Sequence, residues 1–251
     1  MLYEDTVNHL FPPLMPKEAV EPPVLVIVAH PDDEVIGCGA MLAWHRHQGH
    51  AVTVIHVTDG GRGDPEGKFG DIRERRCQEG REALRRLGVE DVRSLGIADG
   101  TVPENLDEVS TRLRDLFGEI QPRAIYSFFF TEAHRDHRAV SRSVVEASDV
   151  LVADCRVLLF GVNQVVCGGS MFDVTELMAQ KQHALAAFES QLYYNDFALK
   201  ILHRDHAATV NVEDSAVQHA ELFADLRPGE LAQVCGDAEK LYRYLLRDAQ
   251  P

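Results

Sequence analysis

Short apolar runs alternate regularly with longer amphipathic segments along this chain, and this alternation limits the folds that it can adopt. The run Val24-Leu-Val-Ile-Val-Ala29 is continuously apolar, which is typical of a strand buried on both faces of a parallel sheet. The segment after it has the apolar spacing of a helix, and the alternation repeats along the chain. The sequence therefore predicts an α/β fold, a Rossmann-like three-layer α/β/α arrangement with a mostly parallel sheet.

The pattern also predicts the individual elements and one domain. Strands are predicted at 24–29, 51–57, 92–97, 124–130 and 156–166, and helices at 35–49, 71–87, 105–120, 136–148 and 173–188. Residues 1–23 are Pro-rich and are predicted to be an irregular leader, whereas 24–251 are predicted to form a single domain. The part after Leu192 is less regular in pattern, and we expect it to pack on that domain.

Composition excludes several classes of protein. The chain has 251 residues with 40 Asp+Glu and 25 Lys+Arg, a formal charge of −15, which argues against nucleic-acid binding and against a polybasic membrane binder. No apolar run reaches the length of about 18 residues that spans a membrane, and the N-terminal residues do not resemble a secretory signal. The cysteines are widely spaced and predicted to be reduced thiols, so we expect a cytoplasmic protein.

Polar residues follow each of the first four predicted strands. These segments are His30-Pro-Asp-Asp-Glu34, Thr58-Asp-Gly-Gly-Arg-Gly63, Ala98-Asp-Gly100 and Thr131-Glu-Ala-His-Arg-Asp-His137. Because ligands of open parallel sheets bind at the carboxyl ends of the strands, we expect these segments to form one site.

Three of these residues have the chemistry of metal ligands. His30 and Asp33 are three residues apart at a helix entry, and His137 is able to supply a third ligand from the distant loop. Three protein ligands and one open position are typical of catalytic zinc, with another divalent transition metal as the alternative. Such a metal lowers the pKa of water to about 7 and polarises a carbonyl.

Three neighbours of the ligands are candidates for catalytic roles. Asp32 is a candidate general base, and protonated His134 is a candidate for stabilising an oxyanion or protonating a leaving amine, with Asp136 orienting it. Simpler interpretations remain open: Asp32 and Asp33 as helix caps, and His134 and His137 as surface histidines. The remaining histidines are interpreted as ordinary, with His45, His47 and His50 near a helix end where a positive charge suits the dipole.

These residues carry a resemblance to a known family. Ala29-His-Pro-Asp-Asp-Glu34 together with His134-Arg-Asp-His137 resembles the PIG-L (LmbE-like) family of zinc-dependent N-deacetylases, from about residue 24 to about residue 192. The resemblance implies a Rossmann-like fold and removal of acetyl groups from N-acetylglucosamine-containing molecules. It implies the roles already given above for the ligands, His30, Asp33 and His137, and for their neighbours, Asp32, His134 and Asp136.

The resemblance adds two substrate contacts. Arg76, in an Arg-x-x-Glu pattern with Glu79, and Asp99 are similar to residues that bind substrate in the family. The alternatives are a solvated Arg76 paired with Glu79, and a turn formed by Asp99-Gly100. The implied partner is a small amino-sugar substrate, a glycoside, conjugate or sugar nucleotide, and homo-oligomers are frequent in the family.

Other functions remain as alternatives. A dinucleotide-binding oxidoreductase is disfavoured because Gly37-Cys-Gly39 lacks the third glycine and the acidic run before it would repel a pyrophosphate. A non-catalytic metal- or sugar-binding module would need neither a base nor an oxyanion-stabilising group. The nearest alternative is the same chemistry on another amide, such as that of a thiol-sugar conjugate.

Overall fold

The computed structural model describes residues 12–166 and 169–245, and its centre is a seven-stranded sheet. The strand order is β3-β2-β1-β4-β5-β7-β6. Strands β1 to β5 pair in parallel, and β7 is antiparallel to both β5 and β6. The strands are β1 Val24–Val28, β2 Val52–Thr58, β3 Asp91–Ile97, β4 Ala124–Phe128, β5 Arg156–Phe160, β6 Ser170–Asp173 and β7 Ala220–Leu226.

Helices connect the strands and form two groups around the sheet. Helices α1 and α2 both pack against α5, whereas α3 and α8 both pack against α4. The helices are α1 Asp33–His47, α2 Ile72–Arg86, α3 Leu106–Ile120, α4 Arg135–Ala147, α5 Met178–Leu185, α6 Glu189–Leu192, α7 Phe197–Ala207 and α8 Pro228–Leu245. The predicted Rossmann-like three-layer α/β/α fold with a mostly parallel sheet is confirmed.

The apolar runs of the sequence form the core. Every residue of β1, β2, β4 and β5 is buried, and the five residues of β1 are fully inaccessible. A strand covered by helices on both faces has no solvent side, which is why its sequence is continuously apolar and does not alternate.

The C-terminal part differs from the sequence prediction. The predicted strand 156–166 ends at Phe160, and the predicted helix 173–188 begins only at Met178, because Ser170–Asp173 is a strand. The part after Leu192 was predicted to be less regular, which is wrong, since it forms α7, β7 and α8. Strand β7 lies between β5 and β6, so this part completes the sheet.

The N-terminal leader is only partly described. Residues 1–11 of the predicted leader lie outside the described residues. From 12 to 23 the chain is irregular except for a short 3-10 turn at Lys17–Ala19 and a bridge between Leu14 and Met171. Within 12–166 and 169–245, no helix has both the length and the apolar character needed to cross a membrane.

The strand order determines where a site can form. Strand β1 lies between β2 and β4, so the connection from β3 crosses back over the sheet to the other side of β1. At such a reversal the loops after neighbouring strands diverge and leave a crevice at their carboxyl ends. The segments after β1, β2, β3 and β4 are the four that the sequence analysis singled out.

Candidate functional site

A cavity of about 580 Å³ opens at the carboxyl ends of β1 to β4. The loops after these strands form its floor, and α6, α7 and the segment between them contribute to its wall. Asp136 is fully buried and is not among the residues that line the cavity. The other predicted site residues line it: His30, Asp32, Asp33, Arg76, Asp99, His134 and His137.

The three predicted metal ligands converge in this cavity. His30 Nδ1 lies 3.2 Å from His137 Nε2 and 3.3 Å from Asp33 Oδ2, and His137 Nε2 lies 3.4 Å from Asp33 Oδ1. Ligand atoms about 2.0–2.1 Å from a tetrahedral zinc are about 3.3 Å from one another, so these separations fit one shared ion. Nitrogen and carboxylate oxygen are also the donors that zinc takes in catalytic sites.

The outward-facing nitrogens of both histidines meet carboxylates. His30 Nε2 lies 3.1 Å from Asp99 Oδ1, and His137 Nδ1 lies 2.8 Å from Glu132 Oε2. A carboxylate on the far nitrogen fixes the tautomer, so that the nitrogen facing the shared point carries a lone pair. This arrangement is the usual outer support of a metal-binding histidine.

The electrostatics of the cluster favour a cation. Burial opposes a charge on His30, but the carboxylates of Asp136, Asp33 and Asp99 outweigh it and hold the pKa of His30 well above its usual value. Burial likewise opposes ionisation of Asp33, yet the positive charges available on His137 and His30 keep its pKa below the usual range. The carboxylates that stabilise a proton on His30 would also stabilise a divalent cation bound at the same point.

Glu132 is a supporting residue that the sequence analysis did not assign. It is 1% exposed, accepts from the backbone N–H of Val162 at 3.0 Å and from Asn163 Nδ2 at 3.0 Å, and faces His137. Burial raises the pKa of Glu132, but the hydrogen bonds from His137 and Asn163 lower it by more. Its position in the segment Thr131–His137 was an available signal, whereas Asn163 fell within a predicted strand.

Two further groupings of potential ligands share His30. One group consists of His30, His134 and His137, and the other consists of His30, Asp99 and Asp136. In the second grouping, Asp99 already accepts from Arg62 N–H at 2.9 Å, and Asp136 from Gly100 N–H at 2.6 Å. Asp33 also accepts a backbone N–H, that of His30 at 2.8 Å, but its oxygens lie within 3.4 Å of ring nitrogens of both His30 and His137, and this is why we favour the set with Asp33.

Asp32 has an unusual backbone and a buried carboxylate. Its φ is 134°, and its N–H donates to Glu34 Oε2 at 3.2 Å. The cap interpretation is wrong for Asp32: among the described residues its side chain makes no cap hydrogen bond, and Oδ2 accepts from Arg76 at 3.1 Å. Burial, reinforced by the negative charges of Asp33 and Glu34, raises the pKa of Asp32 to about 7, although Arg76 acts in the opposite direction.

Arg76 is buried and forms internal contacts. It is 4% exposed and donates to the carbonyls of Gly60 at 3.2 Å and Pro31 at 3.1 Å, as well as to Asp32. The alternative of a solvated Arg76 paired with Glu79 is wrong, since Arg75 forms that ion pair at 2.9 Å. Arg76 therefore fixes the Asp32 carboxylate and the loop before it.

Asp99 also combines an internal role with a place in the cavity wall. It lies in a turn, as the alternative interpretation predicted, because Gly100 has a φ of 86°. Its carboxylate nevertheless faces the site, since it contacts His30 Nε2. Burial opposes ionisation, but the hydrogen bond with His30 lowers the pKa of Asp99 to about 2.

His134 and Asp136 are joined through the backbone. The N–H of Asp136 donates to His134 Nδ1 at 3.2 Å, while the Asp136 carboxylate accepts from Gly100 and Val102. Asp136 therefore contacts His134, as an orienting residue would, but through its backbone amide and not through its carboxylate. His134 is exposed, so the surface interpretation fits its exposure, but its ring centroid lies 4.9 Å from those of His30 and His137.

Comparisons with known proteins agree on one family. The model described as PIG-L, GlcNAc-PI de-N-acetylase, matches residues 25–148. The Probable N-acetyl-alpha-D-glucosaminyl L-malate deacetylase 2 of Bacillus cereus is 30% identical over 200 residues, which cover 73% of this chain and 91% of that protein.

Solved structures agree on the fold. A conserved protein from Thermus thermophilus is 26% identical with a TM-score of 0.67, over 82% of this chain and 94% of that one. The N,N'-diacetylchitobiose deacetylase from Pyrococcus horikoshii gives a TM-score of 0.74 at 21% identity, over 91% of this chain and 94% of that one. At this identity the second likeness is one of fold alone.

Proposed function

Because the chain belongs to the PIG-L (LmbE-like) family of de-N-acetylases, hydrolases that act on amide bonds, we propose that it removes an N-acetyl group from an amino-sugar-containing substrate and releases acetate. The observation that carries this proposal is the convergence of His30, Asp33 and His137 within 3.4 Å of one another. The buried Asp32 lies next to them in the same cavity.

We assign the metal site to His30, Asp33 and His137, with zinc as the ion that their donors fit best. When bound, zinc supplies Lewis acidity to an amide carbonyl and lowers the pKa of water. The chain supplies the rest: Asp99 and Glu132 hold the two imidazoles, so that the nitrogens facing the ion carry lone pairs.

Asp32 is proposed as the general base that accepts a proton from the attacking water. Burial raises the pKa of Asp32 to about 7 in the metal-free chain, and a bound cation would lower it and favour the ionised form that a base needs. Arg76 and Glu34 hold its side chain and its backbone in place.

His134 is proposed to stabilise the oxyanion. Because its Nδ1 accepts the N–H of Asp136, a neutral ring carries its proton on Nε2 and is able to donate it. Burial lowers the pKa of His134, and a cation at the neighbouring site would lower it further, which favours this neutral form. The departing amine would take its proton either from Asp32, once that carboxylate holds the proton of the attacking water, or from His134 in its protonated form.

The proposed substrate class is an N-acetylglucosamine-type glycoside, conjugate or sugar nucleotide. The name of the Bacillus cereus relative specifies an N-acetyl-glucosaminyl malate, and that of the Pyrococcus horikoshii protein a diacetylated chitobiose. Asp99, which lines the cavity, is proposed to bind a sugar hydroxyl, and Arg76 to contribute to the same wall. The alternative is an amidase acting on another sugar amide such as a thiol conjugate.

A substrate panel separates these alternatives. The zinc-loaded protein is incubated with N-acetylglucosamine, an N-acetylglucosaminyl glycoside with an anionic aglycone, diacetylchitobiose, a uridine diphosphate sugar and an N-acyl thiol-sugar conjugate. We expect acetate and free amine to appear in equal amounts from at least one N-acetyl sugar. Cleavage of the thiol conjugate alone would support the alternative, and no turnover on any of them would contradict the proposal.

Replacement of the base tests the assignment of Asp32. We expect Asp32→Asn to keep its bound metal and to lose about 10²–10⁴-fold in kcat, with KM little changed, because general-base catalysis contributes on that scale. Metal content and steady-state kinetics are measured together. Asp149→Asn, at an exposed residue far from the cavity, is the control and should behave as wild type. Near-normal turnover of Asp32→Asn would exclude Asp32 as the base.

A further inference from the structure

Helix α1, which carries the proposed metal ligand Asp33 in its first turn, is interrupted at its sixth residue, Cys38, whose backbone is not helical. Cys38 has φ −142° and ψ 20°. The residues before it form a short first segment that contains Asp33, and those after it form a longer second segment. An interruption of this kind leaves helical N–H and carbonyl groups that need other partners.

Two charged side chains supply partners at the interruption. Glu221 of β7 accepts the N–H of Ala40 and the N–H of Met41, each at 2.9 Å, at the start of the second segment. Arg204 of α7 donates through Nη2 to the carbonyl of Ile36 at 2.8 Å, at the end of the first segment. Both residues come from the part of the chain after Leu192.

A row of alternating charges connects these two side chains. Arg204 contacts Asp205 at 2.9 Å, and Lys181 Nζ contacts both Asp205 at 2.6 Å and Glu221 at 2.7 Å. Lys181, Asp205 and Glu221 are each no more than 2% exposed. Two positive and two negative groups leave no net charge, so each buried ion has a partner of opposite sign.

Arg204 also reaches a second part of the metal site. Its Nη1 donates to the carbonyl of Gly161 at 2.8 Å, directly after β5. Two residues further on, Asn163 donates to Glu132, and Glu132 faces His137. A single guanidinium therefore holds the segment that carries Asp33 and the loop that supports His137.

From these contacts we infer that Arg204 is a positioning residue for the proposed metal site. Its planar guanidinium spans the Ile36 and Gly161 carbonyls, and the row formed with Asp205, Lys181 and Glu221 keeps it in place. The inference deepens the proposed function and rests on it for the reaction, whereas its effect on metal affinity is measured separately. It also gives the C-terminal part of the chain a role in the site.

The test compares Arg204, whose side chain is 21% exposed, with the more deeply buried Arg156. Arg204→Met removes the bridge, and Arg156→Met removes a guanidinium that is 8% exposed, pairs with Asp225 of β7 and donates to the Ala19 carbonyl. Both variants should lower Tm. We expect only Arg204→Met to raise the Kd for Zn²⁺, by about 10–100-fold in competition with a chromophoric chelator, as loss of outer support does at other metal sites.

A conservative variant keeps the test decisive if Arg204→Met does not fold. Arg204→Lys retains the positive charge beside Asp205 but is unable to span two carbonyls. We therefore expect a higher Kd for Zn²⁺ and a lower kcat, with only a small change in Tm. A Kd and kcat equal to wild type in either folded variant would overturn the inference. Equal loss of Zn²⁺ affinity in Arg156→Met would also overturn it, because the effect would then follow stability alone.

The outcome separates this inference from the proposed function. A wild-type chain that binds Zn²⁺ but releases no acetate from any N-acetyl sugar contradicts the proposed function. In that case the Kd values for Zn²⁺ of the variants still decide whether Arg204 positions the site.

Discussion

Asp32 shows how a single residue is constrained at the site. Its φ of 134° lies in the region that glycine adopts readily and other residues avoid, at a cost of about 1–3 kcal/mol. The conformation is held on two sides, by Glu34 on the Asp32 N–H and by Arg76 on the Pro31 carbonyl and the Asp32 carboxylate. As a result, the carboxylates of Asp32 and Asp33 lie in different environments, although the two residues are adjacent in sequence.

Glu132 gives a prediction at this scale. Glu132→Gln keeps the size of the side chain but removes the charge that faces His137 Nδ1. We expect the Kd for Zn²⁺ to rise by about 10–100-fold, because an outer carboxylate raises the basicity of the histidine it holds. Isothermal titration with Zn²⁺ measures this. Glu108→Gln, exposed on α3, should leave the affinity unchanged, and an unchanged Kd in Glu132→Gln would rule out the supporting role.

At the scale of elements, the two ends of α1 carry different titratable groups. Its first turn belongs to the acidic cluster of the site, and its last turn carries His45. His45 is buried, with Nε2 3.1 Å from the Tyr126 hydroxyl and Nδ1 2.9 Å from His50 Nδ1. The expectation of a positive His45 at the helix end is wrong, since burial and the positive charge available on His50 lower the pKa of His45 to about 3.

This helix end predicts a pH dependence of stability. The unfolded chain has a His45 pKa near 6.5, so below that pH it binds a proton that the folded chain does not bind. The contribution of His45 is therefore complete above about pH 6.5 and is lost as the pH falls towards 3. We expect the free energy of unfolding, measured in urea from pH 7.5 to 5, to fall less steeply in His45→Gln than in wild type.

The control lies at the same helix end. His47 is exposed, and His47→Gln should keep the pH dependence of the wild type. The same slope in His45→Gln and wild type would show that the folded chain accepts the proton at His45 after all.

The elements also show what the sequence was able to predict. The buried strands β1, β2 and β4 were found within two residues because their sequences are mainly apolar, without a charged Asp, Glu, Lys or Arg. Strands β6 and β7 were missed for a physical reason. Strand β6 has four residues, and β7 contains Glu221 and Asp225, whose charges are neutralised by Lys181 and Arg156 in the folded chain and look like surface residues in the sequence.

At the scale of the whole molecule, the sheet brings distant segments into one site. The residues of the site came from strand ends, which a parallel sheet aligns, and so most of them were predictable. Arg204 was not, because its contact with Ile36 joins residues 168 positions apart and uses backbone carbonyls that have no sequence signature. Glu132 was predicted only in part: it lies in a segment that the sequence assigned to the site, but its contact with His137 was not predicted.

The net charge of −15 also has a meaning at this scale. Asp33, Asp99 and Asp136 contact a single histidine, His30, and raise its pKa against the opposing effect of burial, and Asp32 lines the same cavity. Such a concentration of negative charge is stable when a divalent cation offsets part of it. We therefore expect a metal ion to be part of the functional protein.

Returning Zn²⁺ to metal-free protein while acetate release is measured shows whether hydrolysis needs the metal. We expect no acetate release after exhaustive chelation, and a linear recovery with added Zn²⁺ that ends at one ion per chain. In His137→Ala, folded by circular dichroism, neither Zn²⁺ binding nor activity should recover. Full acetate release by the exhaustively chelated protein would contradict the account.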